Sequence, residues 1–176
     1  MDQMTMSKTL TTHTGFCFEV RTARPEDEPA LAEFFTHVTP EDLRFRFLGA
    51  VREVSHERLV AMTRSDDAHI HNFLAFAPGG MLIAVATLAS DPADRRGEVA
   101  VCVRDDRKHL GVSWELLGHI ARYADDHGLE SIESIENREN RAAIELEREM
   151  GFTVTADPDD ATLVLVRRKR GAKLPR

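Results

Sequence analysis

The residues with chemical potential gather between Gly97 and Gly118, in GEVAVCVRDDRKHLGVSWELLG. An apolar run from Glu98 to Val103 breaks into a polar turn, and helical periodicity resumes near Gly111. A strand that ends in a loop at a helix start makes an anion site, because the first-turn N–H groups have no partner within the helix. The macrodipole adds roughly half a positive charge at the same end. A phosphate is the natural guest. Other groups carry less. His69 and His71 lie two apart on an expected strand and share a face, yet no third metal ligand accompanies them, so exposed histidines are the plainer reading. Glu130, Glu133, Glu136 and Glu139 form either an acidic lip for a lysine-bearing partner or a set of solvated acids. Cys17 and Cys102 are too few and too isolated for a disulfide framework or a zinc site, and Cys102 reads as a small core residue.

The elements that must position these residues fit one domain. A chain of 176 residues, 42% apolar, is long enough for a core on two faces. Its net charge of −7 argues against nucleic acid as the main partner, since phosphate binding needs a concentrated basic surface. The sign suits cationic or amine substrates, although solubility alone explains it more often. Met1 to Ser7 lacks the apolar segment of a signal peptide, and no run approaches the roughly 18 residues of a membrane span. The cytoplasm is the expected compartment, with no membrane partner.

Residues 1–14 show no period and are expected to form a disordered tail. Phe16 to Val20 alternates as a strand. Pro25 with Glu26, Asp27 and Glu28 starts a helix whose apolar stripe is Ala30, Leu31, Phe34, Phe35 and Val38. Thr39-Pro40-Glu41-Asp42 starts another, and Ser55 caps a third short one. Strands follow at His69 to Phe76, Met81 to Leu88 and Arg95 to Val103, the first two joined by a Gly79-Gly80 hairpin turn. A long helix begins near Gly111 and stops at Gly128, with Leu110, Trp114, Leu117 and Ala121 on one face. Glu130 to Glu136 is a weakly signalled strand, Asn140 to Met150 a helix closed by Gly151, and Phe152 to Thr155 and Ala161 to Arg167 are closing strands. The pattern predicts an α+β fold with a mixed, mostly antiparallel twisted sheet of six to seven strands flanked by helices on both faces. The domain spans residues 15–168, and residues 169–176 form a basic tail.

This layout, with VRDDRKHLGVS at the turn and ENRAAIELEREMGF near the C-terminus, resembles the GCN5-related N-acetyltransferase (GNAT) superfamily over Phe16 to Arg168. RPEDEPALAEFF, TPEDLRFRF, SHERL, GEVAV and VRDD together look most like its bacterial protein-lysine acetyltransferase branch. The resemblance implies acetyl-CoA as cosubstrate, no metal, and an amine acceptor, either a protein lysine or a small amine. Homodimers are frequent in the superfamily, and no interface is legible here.

The family's acyl-CoA loop, Gln/Arg-x-x-Gly-x-Gly/Ala, maps onto Lys108, His109, Leu110, Gly111, Val112 and Ser113, with only Gly111 a strict match. Lys108 keeps a cation without the fork of Arg. The backbone N–H cradle depends on conformation and survives these changes, while the lost side-chain cations cost about 1–2 kcal/mol of affinity. Asn140 matches the Asn beside the pantetheine arm, although Asn is also a good helix cap. Glu98 matches the branch's strand Glu, a general base that draws the proton from the attacking amine. Alternation places it on the face of Ala100 and Cys102, and a bulge common in this fold would re-aim it. Its alternative is an exposed acid paired with Arg95 or Arg96. The N–H groups of Val101, Cys102 and Val103 would polarise the thioester carbonyl. Many members carry a Tyr seven residues beyond that Asn to protonate the leaving thiolate; Glu147 stands there in this chain. The implied function is N-acetyl transfer from acetyl-CoA to a primary amine, foremost a protein lysine. The alternative, motivated by the unorthodox loop, is a non-catalytic acyl-CoA-binding or regulatory interaction domain.

Overall fold

Local chemistry sets the helix starts. Thr39 Oγ1 accepts the Asp42 N–H at 3.1 Å, and Pro40 occupies the first helical position. Ser55 Oγ accepts the Arg58 N–H at 3.3 Å. Asp27 accepts the Arg24 N–H and both Arg21 guanidinium arms, each at 2.7 Å, tying a strand to the helix that follows it.

In the computed structural model, which describes residues 7–93 and 95–176, these segments become β1 (Lys8–Thr11), β2 (Cys17–Thr22), α1 (Glu28–Thr36), α2 (Pro40–Phe47), α3 (His56–Thr63), β3 (Ile70–Phe76), β4 (Leu82–Ser90), β5 (Arg96–Val103), α4 (Val112–Asp126), β6 (Ser131–Asn137), α5 (Arg141–Glu149), β7 (Thr153–Ala156) and β8 (Leu163–Lys169). The sheet order is β1-β2-β3-β4-β5-β6-β8-β7. Every neighbouring pair is antiparallel except β5 and β6, which run parallel and are connected through α4. The fold is therefore α+β, mixed and mostly antiparallel, as the pattern predicts.

Register partners share a face, so the two cores can be read from the ladders. Leu74, Val85 and Cys102 stand in one row and pack with Leu31, Phe34, Leu43, Leu59 and Met62 of α1 to α3. On the opposite face, Phe73, Ala86, Val99 and Ile132 pack with Leu116, Ile120 and Ala121 of α4 and Ile144 of α5.

Two expectations, both at the ends of the chain, need correction. Residues 8–11, expected within the tail, form β1 and raise the sheet to eight strands; residues 1–6 lie outside the described residues. Only Leu10 of β1 is buried, so a single apolar contact replaces the alternation that would have announced it. No bulge re-aims Glu98: the β4–β5 ladder runs in register from Gly97 to Val103, so Glu98 keeps the face that alternation assigns it, and the shift in the sheet lies at Ala75/Phe76. The expected stripe of α4 holds: Leu117, Ala121 and Ile120 are in the core with Leu116 and Ala124 added, and Leu110, Trp114 and Tyr123 pack half-buried against it. The C-terminal segment is also less free than a tail: Leu174 packs on the core, and Arg168 holds Asp125 through two bonds at 2.9 and 3.0 Å and reaches the Ala172 carbonyl at 2.5 Å.

Candidate active site

The site begins where a ladder stops. β5 and β6 pair only at Arg96–Ser131, Gly97–Ile132 and Glu98–Glu133, yet β5 continues to Val103 and β6 to Asn137. Beyond Glu98 the two strands part, leaving a gap lined by unpaired backbone edges. Backbone groups alternate along a strand, so Cys102 bonds Val85 of β4 while Val101 and Val103 turn their N–H and C=O groups toward this gap. The Cys102 thiol is directed elsewhere: it sits in the α1–α3 core, where burial pushes its pKa up to about 12, and its backbone is engaged with β4.

α4 starts at the end where the gap opens. Gly111 precedes it at φ +87° with no side-chain cap, and the first intrahelical bond is from the Glu115 N–H to the Gly111 carbonyl at 3.2 Å. The N–H groups of Val112, Ser113 and Trp114 are thus the unpartnered donors of the first turn. A Cβ on Gly111 would lie 3.2 Å from Thr12 Cβ, so the loop is seated on the β1–β2 turn. Thr12 is 3% exposed and accepts the Phe16 N–H at 3.1 Å; sequence reasoning placed it in the tail and missed it. His109 is exposed at φ +64°, and Leu110 leans half-buried on the core, so neither caps the helix end.

Lys108 is held by carboxylates. Its ammonium pairs with Asp42 of α2 and lies 3.6 Å from Asp105. Burial opposes its charge, but the bond to Asp42 and the two carboxylates outweigh that and raise its pKa. The pair with Asp42 fastens the loop to α2.

The two faces of the sheet bring different carboxyl groups to the gap. Glu98 is exposed, in a row with Ile70, Ala89 and Glu133 on the α1–α3 side. Among the described residues it forms no ion pair, neither with Arg95 nor with Arg96. Its neighbour Glu133 is neutralised by Arg167 at 2.6 Å. On the α4–α5 side, β6 presents Ile132, Ser134 and Glu136, and α5 answers with Asn140, Ile144 and Glu147 at spacings of four and three. Asn140 does not cap α5 with its side chain; its Nδ2 donates to Glu136 Oε2 at 2.9 Å. Ser134 Oγ donates to Glu147 Oε1 at 2.5 Å, while Glu147 Oε2 is buried without a partner. Burial pushes the Glu136 carboxyl up to about 7, against the pull of Asn140. Burial and then the charge of Glu136 push Glu147 up to about 8, against the pull of Ser134.

The two histidines are engaged separately: His69 Nδ1 lies 3.3 Å from Ser90 Oγ, and His71 Nδ1 lies 3.4 Å from Tyr123 Oη. Among the described residues no three His, Cys, Asp or Glu side chains are grouped to hold a metal. No helix among them is long and apolar enough to cross a membrane.

The profile of the acetyltransferase (GNAT) family matches residues 31–152, from α1 through α5. The chain belongs to that family. Acetyltransferase PA5475 of Pseudomonas aeruginosa is 30% identical over 151 residues, covering 84% of this chain and 81% of that protein. The GNAT domain of S. lividans PAT superposes with a TM-score of 0.85 at 23% identity, covering 93% of this chain and 96% of that one. Spermidine N-acetyltransferase from Vibrio cholerae, solved with CoA and spermine, gives 0.69 at 16% identity, over 85% and 92%. Those two structural likenesses show the shared fold.

Membership makes the protein an acetyltransferase, and GNAT enzymes use acyl-CoA. The residues fit such a group: unpartnered N–H donors at the start of α4 suit phosphate oxygens, and the free edge of β5 suits an extended amide-bearing arm.

Proposed function

We propose that this GNAT acetyltransferase moves an acetyl group from acetyl-CoA to a primary amine, foremost a protein lysine, by direct attack with Glu98 as general base. The observation that carries this reading is the β5–β6 ladder ending at Glu98–Glu133. It leaves an exposed, unpaired carboxylate at the head of a gap whose walls are free backbone. The lysine acceptor is supported by the residues shared with that branch and by the likeness to the GNAT domain of S. lividans PAT.

Acetyl-CoA supplies an activated acyl group as a thioester. The N–H groups of Val112, Ser113 and Trp114 bind its diphosphate, with Lys108, His109 and Leu110 shaping the loop and Gly111 providing the turn. The β5 edge from Val101 to Val103 orients the arm and polarises the carbonyl. Asn140 acts on the same side by fixing Glu136. Glu98 takes the proton that an alkylammonium must lose before its nitrogen can attack. From the opposite face Glu147, whose buried carboxyl keeps its proton near pH 7, would be the group to supply a proton to a departing thiolate.

Calorimetric titration with acetyl-CoA, paired with a thiol-release assay on lysine peptides, tests the reading. Binding with turnover is expected. Binding without turnover on any amine would instead describe a non-catalytic acyl-CoA-binding domain.

A further inference from the structure

Arginine is used in one way at most buried points of this protein. Arg21 holds Asp27, Arg104 holds Glu33 and Asp106, Arg167 holds Glu133, and Arg168 holds Asp125. Arg46 of α2 breaks that habit. Among the described residues its guanidinium makes no ion pair, although the chain carries 30 acidic residues. Its hydrogen bond is from Nη2 to Thr87 Oγ1 at 3.1 Å, and that hydroxyl passes its own proton to Asn72 Oδ1 at 2.7 Å. Arg46 Nε is buried with no partner, and burial lowers the guanidinium pKa from its ordinary value. A second cation, Arg58 of α3, lies on the same aromatic ring: the two guanidiniums stand 5.1 and 4.8 Å from the centroid of Phe47.

The register places this cation beside the reacting centre. Thr87 is the partner of Ala100 on β5, and Glu98 lies two residues earlier on the same face. Thr87 and Glu98 are therefore diagonal neighbours, about 7–8 Å apart in the sheet. Arg46, anchored at Thr87, feels the charge of Glu98 without forming an ion pair with it. A desolvated guanidinium with no counter-charge is costly unless something completes it, and a planar carboxylate is the group that fits its fork.

Resting on the amine-acetylation reading above, we infer that Arg46 is an acceptor-binding residue that receives a carboxylate, so the preferred acceptor is an amine with an anionic group close by. Glu98 takes the ammonium end and Arg46 the anion, with Arg58 adding positive potential at the rim. Two sources present this chemistry: a lysine in an acidic peptide segment, or free lysine with its own carboxylate.

The test compares acceptors on the wild-type protein. One pair is a lysine peptide flanked by Glu and the same peptide flanked by Gln; the other is free lysine and lysinamide. At least one pair should show roughly tenfold or greater preference in kcat/KM for the carboxylate form, as loss of a charged hydrogen bond implies. Preference confined to the first pair assigns a protein acceptor, and preference confined to the second a small-molecule one. Arg46→Gln should erase the preference, and Arg46→Lys should restore part of it, with acetyl-CoA titration and melting temperature serving as checks on folding. Equal kcat/KM within both wild-type pairs would overturn the inference while leaving amine acetylation intact. So would an undiminished preference in folded Arg46→Gln. Absence of turnover on all four acceptors, with acetyl-CoA bound, would remove the amine-acetylation reading and this one with it.

Discussion

Ser134 on β6 donates its hydroxyl proton to Glu147 on α5 at 2.5 Å, while the second Glu147 oxygen stays buried without a partner. Glu136, held by Asn140, adds a second carboxyl to the same face of the gap. Glu98 stands on the other face, exposed and unpaired. The gap is thus flanked by a proton acceptor in water and by proton-holding carboxyls in the core.

The buried pair makes stability depend on pH. Glu147 sits near 8 and Glu136 near 7, both above the ordinary value of 4.5. The folded state keeps protons that the unfolded chain has released, so this contribution is complete below about pH 4.5 and is lost as pH rises toward 8. Urea unfolding at pH 5, 6, 7 and 8 should show stability declining over that window, and Glu147→Gln should flatten the decline. The same variant should lower kcat by roughly 10- to 100-fold with acetyl-CoA affinity retained. An unaltered pH slope together with an unaltered kcat would leave Glu147 as a packing residue.

Glu98→Gln removes the proposed base and should leave the fold untouched, because Glu98 is exposed and makes no ion pair among the described residues. Turnover should fall by about 10²-fold or more, with acetyl-CoA binding preserved. Full activity in this variant would strip Glu98 of its role.

Asp27 gives the opposite pH dependence. Burial works to raise its pKa, but the Arg21 and Arg24 bonds and charges outweigh burial and hold it below the ordinary 3.8. Its contribution is present above that ordinary value and is lost as pH falls through the depressed one. Asp27→Asn should cost about 1–3 kcal/mol at pH 7, read from the urea midpoint, with the gap between variant and wild type narrowing on acidification.

Gly111→Ala places a Cβ at φ +87° and within 3.2 Å of Thr12 Cβ. A left-handed conformation costs a non-glycine residue about 1–2 kcal/mol, and the contact adds to it. The melting temperature should fall, and calorimetry should show weakened acetyl-CoA binding because the first turn of α4 is displaced. Unchanged affinity would detach this loop from the diphosphate.

The order of strands and helices was legible in the sequence because most elements bury one face and therefore carry a period. Gly79-Gly80, Thr39-Pro40 and Gly151 marked their turns and ends for local steric reasons, and Glu98 kept the face that alternation assigned it. The family's loop and helix were legible for a different reason: residues such as Gly111 and Asn140 recur at fixed spacing. β1 was not legible, since one buried Leu10 in a polar segment leaves no period to detect.

Sequence by itself settled which backbone segments form strand, loop and helix around residues 97–118, because those choices depend on neighbours in the chain. Tertiary structure alone decided that Lys108 binds Asp42, that Glu147 meets Ser134 and Glu136, and that Arg46 is left open beside Glu98's row. Each of those outcomes joins residues far apart in sequence. A side chain's charge state and free valence depend on what packing places around it, and no local pattern encodes that.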